Sequence, residues 1–255
     1  MEEGKYIYCI IETKDQRNYG AIGVGEGGAE VLTIGYDDLS MVVSNHPLHK
    51  LSVSRENMLA HERVVEKVME EYEAVLPVRF GTIAASAEEI RNLLDRRRRE
   101  FTGALRAMDH KVELGVKGLW QDLNAIFQEI VKENKNIEKL KTELQTHKEK
   151  KNIQAKMDVG KMVAGKLEEK KANEVQAIVK ELKGAAIDYK LNKTIGDEMF
   201  MNAAFLVDKG REKEFDNIME ELGNKHKDRV RFMYAGPLPP YNFVNLAIYP
   251  ESWEV

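Results

Sequence analysis

Cysteine and proline are scarce in this sequence, and long apolar runs are missing. The single cysteine, Cys9, can form no disulfide within the chain, and nothing around it has metal-ligand spacing. A reducing, cytoplasmic setting is therefore expected. Six prolines occur, and none stands between Pro77 and Pro237. No apolar run approaches the roughly 20 residues that span a bilayer, so no transmembrane helix is expected. Met1–Lys5 offers no basic start followed by an apolar core, and no secretory leader is expected.

What the sequence has instead is charge. Of 255 residues, 43% are hydrophobic and 32% charged, which suits one large domain or two small ones. The net charge of −4 is unevenly spread. Residues 131–193 hold 16 lysines against 10 acidic residues (+6), whereas the remainder holds 23 basic and 33 acidic residues (−10). The basic, proline-free middle permits long helices. Three divisions follow: an α+β domain at 1–120, a helical hairpin at 121–195, and a small α+β domain at 196–255.

In the first part, Tyr6–Ile11 reads as a buried strand, followed by a glycine-rich loop and strands at 31–34 and 39–43. Ser54 is a candidate N-cap for a helix ending near Ala74, with Met58, Leu59, Val65, Val68, Met69 and Tyr72 as its apolar stripe. Residues 75–80 read as a strand. Ser86 and Glu89 have capping-box spacing and open a helix that keeps its period to Met108. Lys111–Trp120 alternates as a strand. The pattern is α+β, a mostly antiparallel sheet with two helices, close to the ferredoxin-like plan. In the middle, Leu123, Ile126, Ile130 and Ile137 form one helical seam, fading at His147 and Lys151. Leu167, Val175, Val179 and Leu182 form the other, with a turn expected near Gly160 and Gly165. The last part reads as a strand at 200–207, a helix at 211–222 capped by Asp208, a strand at 230–234, an extended turn at 236–240, and a strand or short helix at 241–249.

Four motifs, in order and spread over both ends, carry a family resemblance. They are Ser54-Arg-Glu-Asn-Met-Leu-Ala-His-Glu-Arg-Val-Val65, Val75-Leu-Pro-Val-Arg-Phe-Gly-Thr82, Lys111-Val-Glu-Leu-Gly-Val-Lys117 with Trp120, and Gly236-Pro-Leu-Pro-Pro-Tyr241 with Phe243 and Val244. Together they resemble the GvpF/GvpL family of gas vesicle accessory proteins, with Leu238 standing where that family's signature has Trp. The resemblance implies a two-domain α+β protein, associated with gas vesicles. It would bind the hydrophobic shell protein, act alongside other accessory proteins and support nucleation or assembly. Arg55, His61, Arg63, Arg79, Phe80 and Tyr241 are the motif positions proposed to contact a partner. Sheet edges offer a further route, since an extended segment can add to them as a strand.

Other chemistries fit less well. Gly23-Val-Gly-Glu-Gly-Gly28 matches a dinucleotide fingerprint in spacing, but a strand, not a helix, is expected after it. His61-Glu62 begins like a zinc-protease helix, yet Val65 stands where the second His is required. No metal, cofactor or catalytic constellation is expected, and the chain reads as a non-enzyme. The run Arg96–Arg99 is flanked by acidic residues and lacks interleaved aromatics, so nucleic-acid binding is not expected. Arg97 should lay its stem along the apolar stripe. Arg79 would either pair internally with Glu62 or Glu66 or face a client. A ferredoxin-like small-ligand binder or enzyme is the alternative, requiring a pocket of converging polar groups. A coiled-coil oligomer is disfavoured by the fading seam, so a monomer is expected.

Overall fold

The computed structural model describes residues 3–146 and 152–248. The chain divides into two compact units, Met1–Glu113 with Asp208–Gly210 and Gly236–Val255, and Leu114–Val207 with Arg211–Ala235. The contiguous divisions 1–120, 121–195 and 196–255 do not coincide with these units, because the chain returns to the first unit at Gly236. The class is α+β, with two antiparallel sheets and seven α-helices among the described residues.

In the first unit, β1 (Glu3–Glu12), β2 (Asn18–Ala21), β3 (Glu30–Tyr36) and β4 (Leu39–Pro47) precede α1 (Arg55–Met69), β5 (Leu76–Pro77), β6 (Ile83–Ala84), α2 (Ala87–Arg96) and α3 (Arg98–Met108). The sheet order is β2-β3-β4-β1-β5, and β6 also pairs with β1. Tyr6–Ile11 is buried throughout, as a central strand covered on both faces requires. The loop at 22–29 closes a β2–β3 hairpin, with Gly25, Gly27 and Gly28 at positive φ. A strand follows it, so the context for phosphate binding is missing.

Several local expectations are corrected. The strand expected over 75–80 shrinks to Leu76–Pro77, because the chain turns at Gly81 (φ +88°) after one more bond, from Val78 N–H to the Tyr8 carbonyl. The helix expected over 86–108 breaks at Arg97 (φ −106°, ψ 17°), whose guanidinium stacks on Phe101 and pairs with Glu100. Met58 and Leu59, read as core, are about half exposed, and His61, Val64, Val65 and Val68 are the buried face of α1.

The second unit is built from most of β7 (Lys111–Trp120), α4 (Leu123–Glu133), α5 (Lys135–Thr146), α6 (Asn152–Leu182), β8 (Asp188–Leu191), most of β9 (Met199–Asp208), α7 (Glu212–Lys225) and most of β10 (Val230–Leu238), in sheet order β10-β7-β9-β8. This is the β-α-β-β-α-β succession of the ferredoxin-like plan, with the helical arm as its first crossover. That plan was expected of the first sheet. It belongs to the second, because four strands precede any helix in the first. Helices α4 and α5 run antiparallel to α6, and Lys170 meets Glu129 and Glu133 across the pair. Gly160 and Gly165 lie inside α6 and make no turn. His147, Lys151 and Tyr249 lie outside the described residues. Asp208 accepts from Gly210 N–H in a short 3-10 turn and does not cap α7, which starts at Glu212 without a side-chain cap. Strand β10 runs on through Pro237, and residues 241–248 form neither strand nor helix.

Arg229 clamps this unit. Its guanidinium donates twice to Glu129, at 2.6 and 3.0 Å, and once to Glu174 at 2.7 Å. Glu174 also accepts from the Trp120 indole at 2.6 Å. The nearby guanidinium holds the Glu129 carboxyl below its usual range.

Candidate functional site

The strongest candidate site lies in the first unit, where α1 begins. Ser54 starts the helix by accepting from Asn57 N–H at 3.1 Å, satisfying a donor the helix leaves open. The turn before it exposes Val53, and the first two turns present Arg55, Met58, Leu59 and Glu62. With Arg79, Phe80 and Tyr241 they line a groove of about 570 Å³, with His61 in its floor. Val53 is 73% exposed, Met58 49% and Leu59 51%, so the lining is apolar surface that this unit leaves in water.

His61 organises the floor. Its Nδ1 lies 2.8 Å from the Tyr6 hydroxyl, and its Nε2 lies 3.1 Å from the Val78 carbonyl and 2.9 Å from the Tyr241 hydroxyl. A carbonyl can only accept, so the proton sits on Nε2, and Nδ1 accepts from Tyr6. The Tyr6 oxygen in turn accepts from Gly81 N–H at 3.1 Å, which fixes the turn carrying Arg79 and Phe80. Burial pushes the imidazole down to about 4, against the bond to Val78 that favours its charged form. Burial likewise raises the Tyr6 and Tyr241 hydroxyls.

Around the groove the charges are unevenly satisfied. Arg79 is exposed, and among the described residues no carboxylate pairs with it, so of the two alternatives the internal pair with Glu62 or Glu66 is not formed. Buried Oε2 of Glu62 has no hydrogen-bond partner among the described residues. Burial raises this carboxyl, and the charges of Glu66 and Glu113 add to the effect. Arg63 is exposed and lies outside the lining residues. Five of the six candidate positions thus converge, and His61 does so as a buried support with all its bonds inside the unit. Sequence reasoning missed Val53, Met58, Leu59 and Glu62. The signal was an α1 stripe too wide for one core contact. Among the described residues no three His, Cys, Asp or Glu side chains converge as a metal site.

Tyr241 is held by its neighbours. Glu113, itself buried, accepts from Asn242 N–H at 2.9 Å and from Asn242 Nδ2 at 2.6 Å. Arg97 donates to the Ala247 carbonyl at 2.7 Å.

Residues 4–245 match the family model described as Gas vesicle synthesis protein GvpL/GvpF. Gas vesicle protein F1 of Halobacterium salinarum is 28% identical over 254 residues, spanning 99% of this chain and 98% of its own. Gas vesicle protein F of a Streptomyces species is 28% identical over 222 residues, 87% of this chain and 91% of its own. Among solved structures, that of the gas vesicle protein GvpF from Anabaena sp. superposes with a TM-score of 0.80 at 22% identity, covering 96% of this chain and all of that one. The GvpF structure from Microcystis aeruginosa gives 0.77 at 22% identity, covering 95% and 99%. These two similarities establish the fold.

Proposed function

The chain belongs to the GvpL/GvpF family of gas vesicle synthesis proteins, and from that premise we propose that it binds the hydrophobic gas vesicle shell protein and supports nucleation and assembly of the shell, without catalysing a reaction. Membership makes it a gas vesicle accessory protein, associated with gas vesicle components. None of the described helices is long and apolar enough to cross a membrane.

The observation that carries this reading is the groove beside α1. A hydrophobic client gains roughly 25 cal/mol for each Å² of apolar surface it takes out of water there. Val53, Met58, Leu59 and Phe80 supply that surface, and Arg55 and Arg79 supply polar contacts. Other accessory proteins remain partners in this reading, and the chain acts as a monomer when isolated.

The test is binding of the full-length chain to co-expressed shell protein. Met58→Glu with Leu59→Glu should weaken capture at least about tenfold, as loss of a central apolar anchor does. Arg79→Ala should weaken it less, and both variants should melt like the parent because these side chains are exposed. Undiminished capture by the double variant would sink the groove as the shell-protein site.

A further inference from the structure

The second unit has an interaction edge that the groove reading does not use. Strand β8 is the outer strand of its sheet, pairing on one side with β9. Asn192 N–H bonds to the Asn202 carbonyl, so the alternation of an antiparallel ladder turns the amides of residues 188 and 190 toward β9 and those of Tyr189 and Leu191 outward. The Asp188 carboxylate accepts from the Tyr189 amide at 2.8 Å, in keeping with this direction.

Between the charged residues Asp188 and Lys190, this short edge and its flanks leave large apolar side chains in water. Ile187 is 52% exposed, Tyr189 41%, Leu191 56% and Ile195 77%. Natural sheets blunt their edges with charge, proline or irregular turns. Opposite β8, the other edge strand, β10, carries Pro237, whereas β8 has no proline. Between β8 and α6 runs a second groove of about 350 Å³, lined by Val175, Val179, Tyr189 and Leu191. Lys180 and Lys183 also line it, and Lys193 follows the strand. Among the described residues none of these three ammonium groups has an ion-pair partner.

We propose that the β8 edge is a strand-addition site for an extended, acidic segment of a partner protein. The incoming backbone pairs with Tyr189 and Leu191, displacing the Asp188 carboxylate from the Tyr189 amide. Its apolar side chains lie over Val175, Val179 and Leu191, and its carboxylates meet Lys180 and Lys183. The lysines choose the partner. A second copy of this chain would bring its own Lys180, Lys183 and Lys193 against these, and like charges facing one another disfavour pairing.

Two synthetic octapeptides test this on the full-length chain, one repeating Val-Thr-Glu-Thr and one repeating Val-Thr-Lys-Thr, because side chains two apart share the face that meets the groove. Anisotropy titration should show the Glu peptide binding about tenfold or more tightly, the sum of two modest exposed ion pairs, and weakening as salt rises. Hydrogen exchange should slow at Tyr189 and Leu191. Lys180→Glu with Lys183→Glu should reverse the preference. Leu191→Pro should abolish binding of both peptides while sparing the bonds to β9, since its amide faces outward. Equal affinity for the two peptides, protection elsewhere, no binding of the Glu peptide, or a β8-dependent dimer in sedimentation would each overturn the proposal.

Discussion

At the scale of single residues, His61 sets a pH dependence. The folded state holds the imidazole neutral, with its pKa at about 4 against 6.5 when unfolded. As pH falls, the unfolded chain therefore takes up the proton first. The contribution of His61 is complete above about 6.5 and is lost progressively down to about 4, on the order of 3 kcal/mol in all. Denaturant unfolding should thus show the stability gap between the parent and His61→Gln shrinking across that window. A gap independent of pH would refute the assignment. The histidine was legible in the sequence as a motif position, but its role was not. Its three partners, Tyr6, Val78 and Tyr241, lie 55, 17 and 180 residues away.

At the scale of elements, local signals were read well wherever a few neighbouring residues decide the outcome. Ser54 caps α1, and Ser86 caps α2 by accepting from Glu89 N–H. Glu89 reaches back to Ala85 N–H, one residue further than a standard capping box. Glycine was the misleading signal in α6. Gly160 and Gly165 are helical, exposed, and have open space where a Cβ would stand. Gly160→Ala and Gly165→Ala should each stabilise the protein by about 0.5–1 kcal/mol, seen as a raised melting temperature. Destabilisation by either would mean that α6 is not a continuous helix. The expectation of a turn there failed because glycine lowers helix propensity by less than packing against α4 and α5 returns.

At the scale of the whole molecule, the carboxy-terminal segment completes the first unit. Ending the chain after Ala235 removes Tyr241, one of the three partners of His61, and the two donors that Asn242 offers the buried Glu113 carboxylate. Such a truncation should lower the stability of the first unit by roughly 3–5 kcal/mol, read as faster hydrogen exchange in β1. Tyr241→Phe removes one hydroxyl and should cost only about 1 kcal/mol. A truncated chain with unaltered β1 exchange would show that the segment is dispensable. By itself the sequence determined the α+β class, the long helices, the starts of α1 and α2 and the family motifs, because hydrogen bonds and steric preferences within a few residues settle those. Only the tertiary structure decided that Met58 and Leu59 stay in water, that Arg229 binds Glu129 and Glu174, and that residue 241 returns to residue 61. Helical periodicity counts apolar side chains along one element, whereas burial depends on which distant segment arrives to cover them.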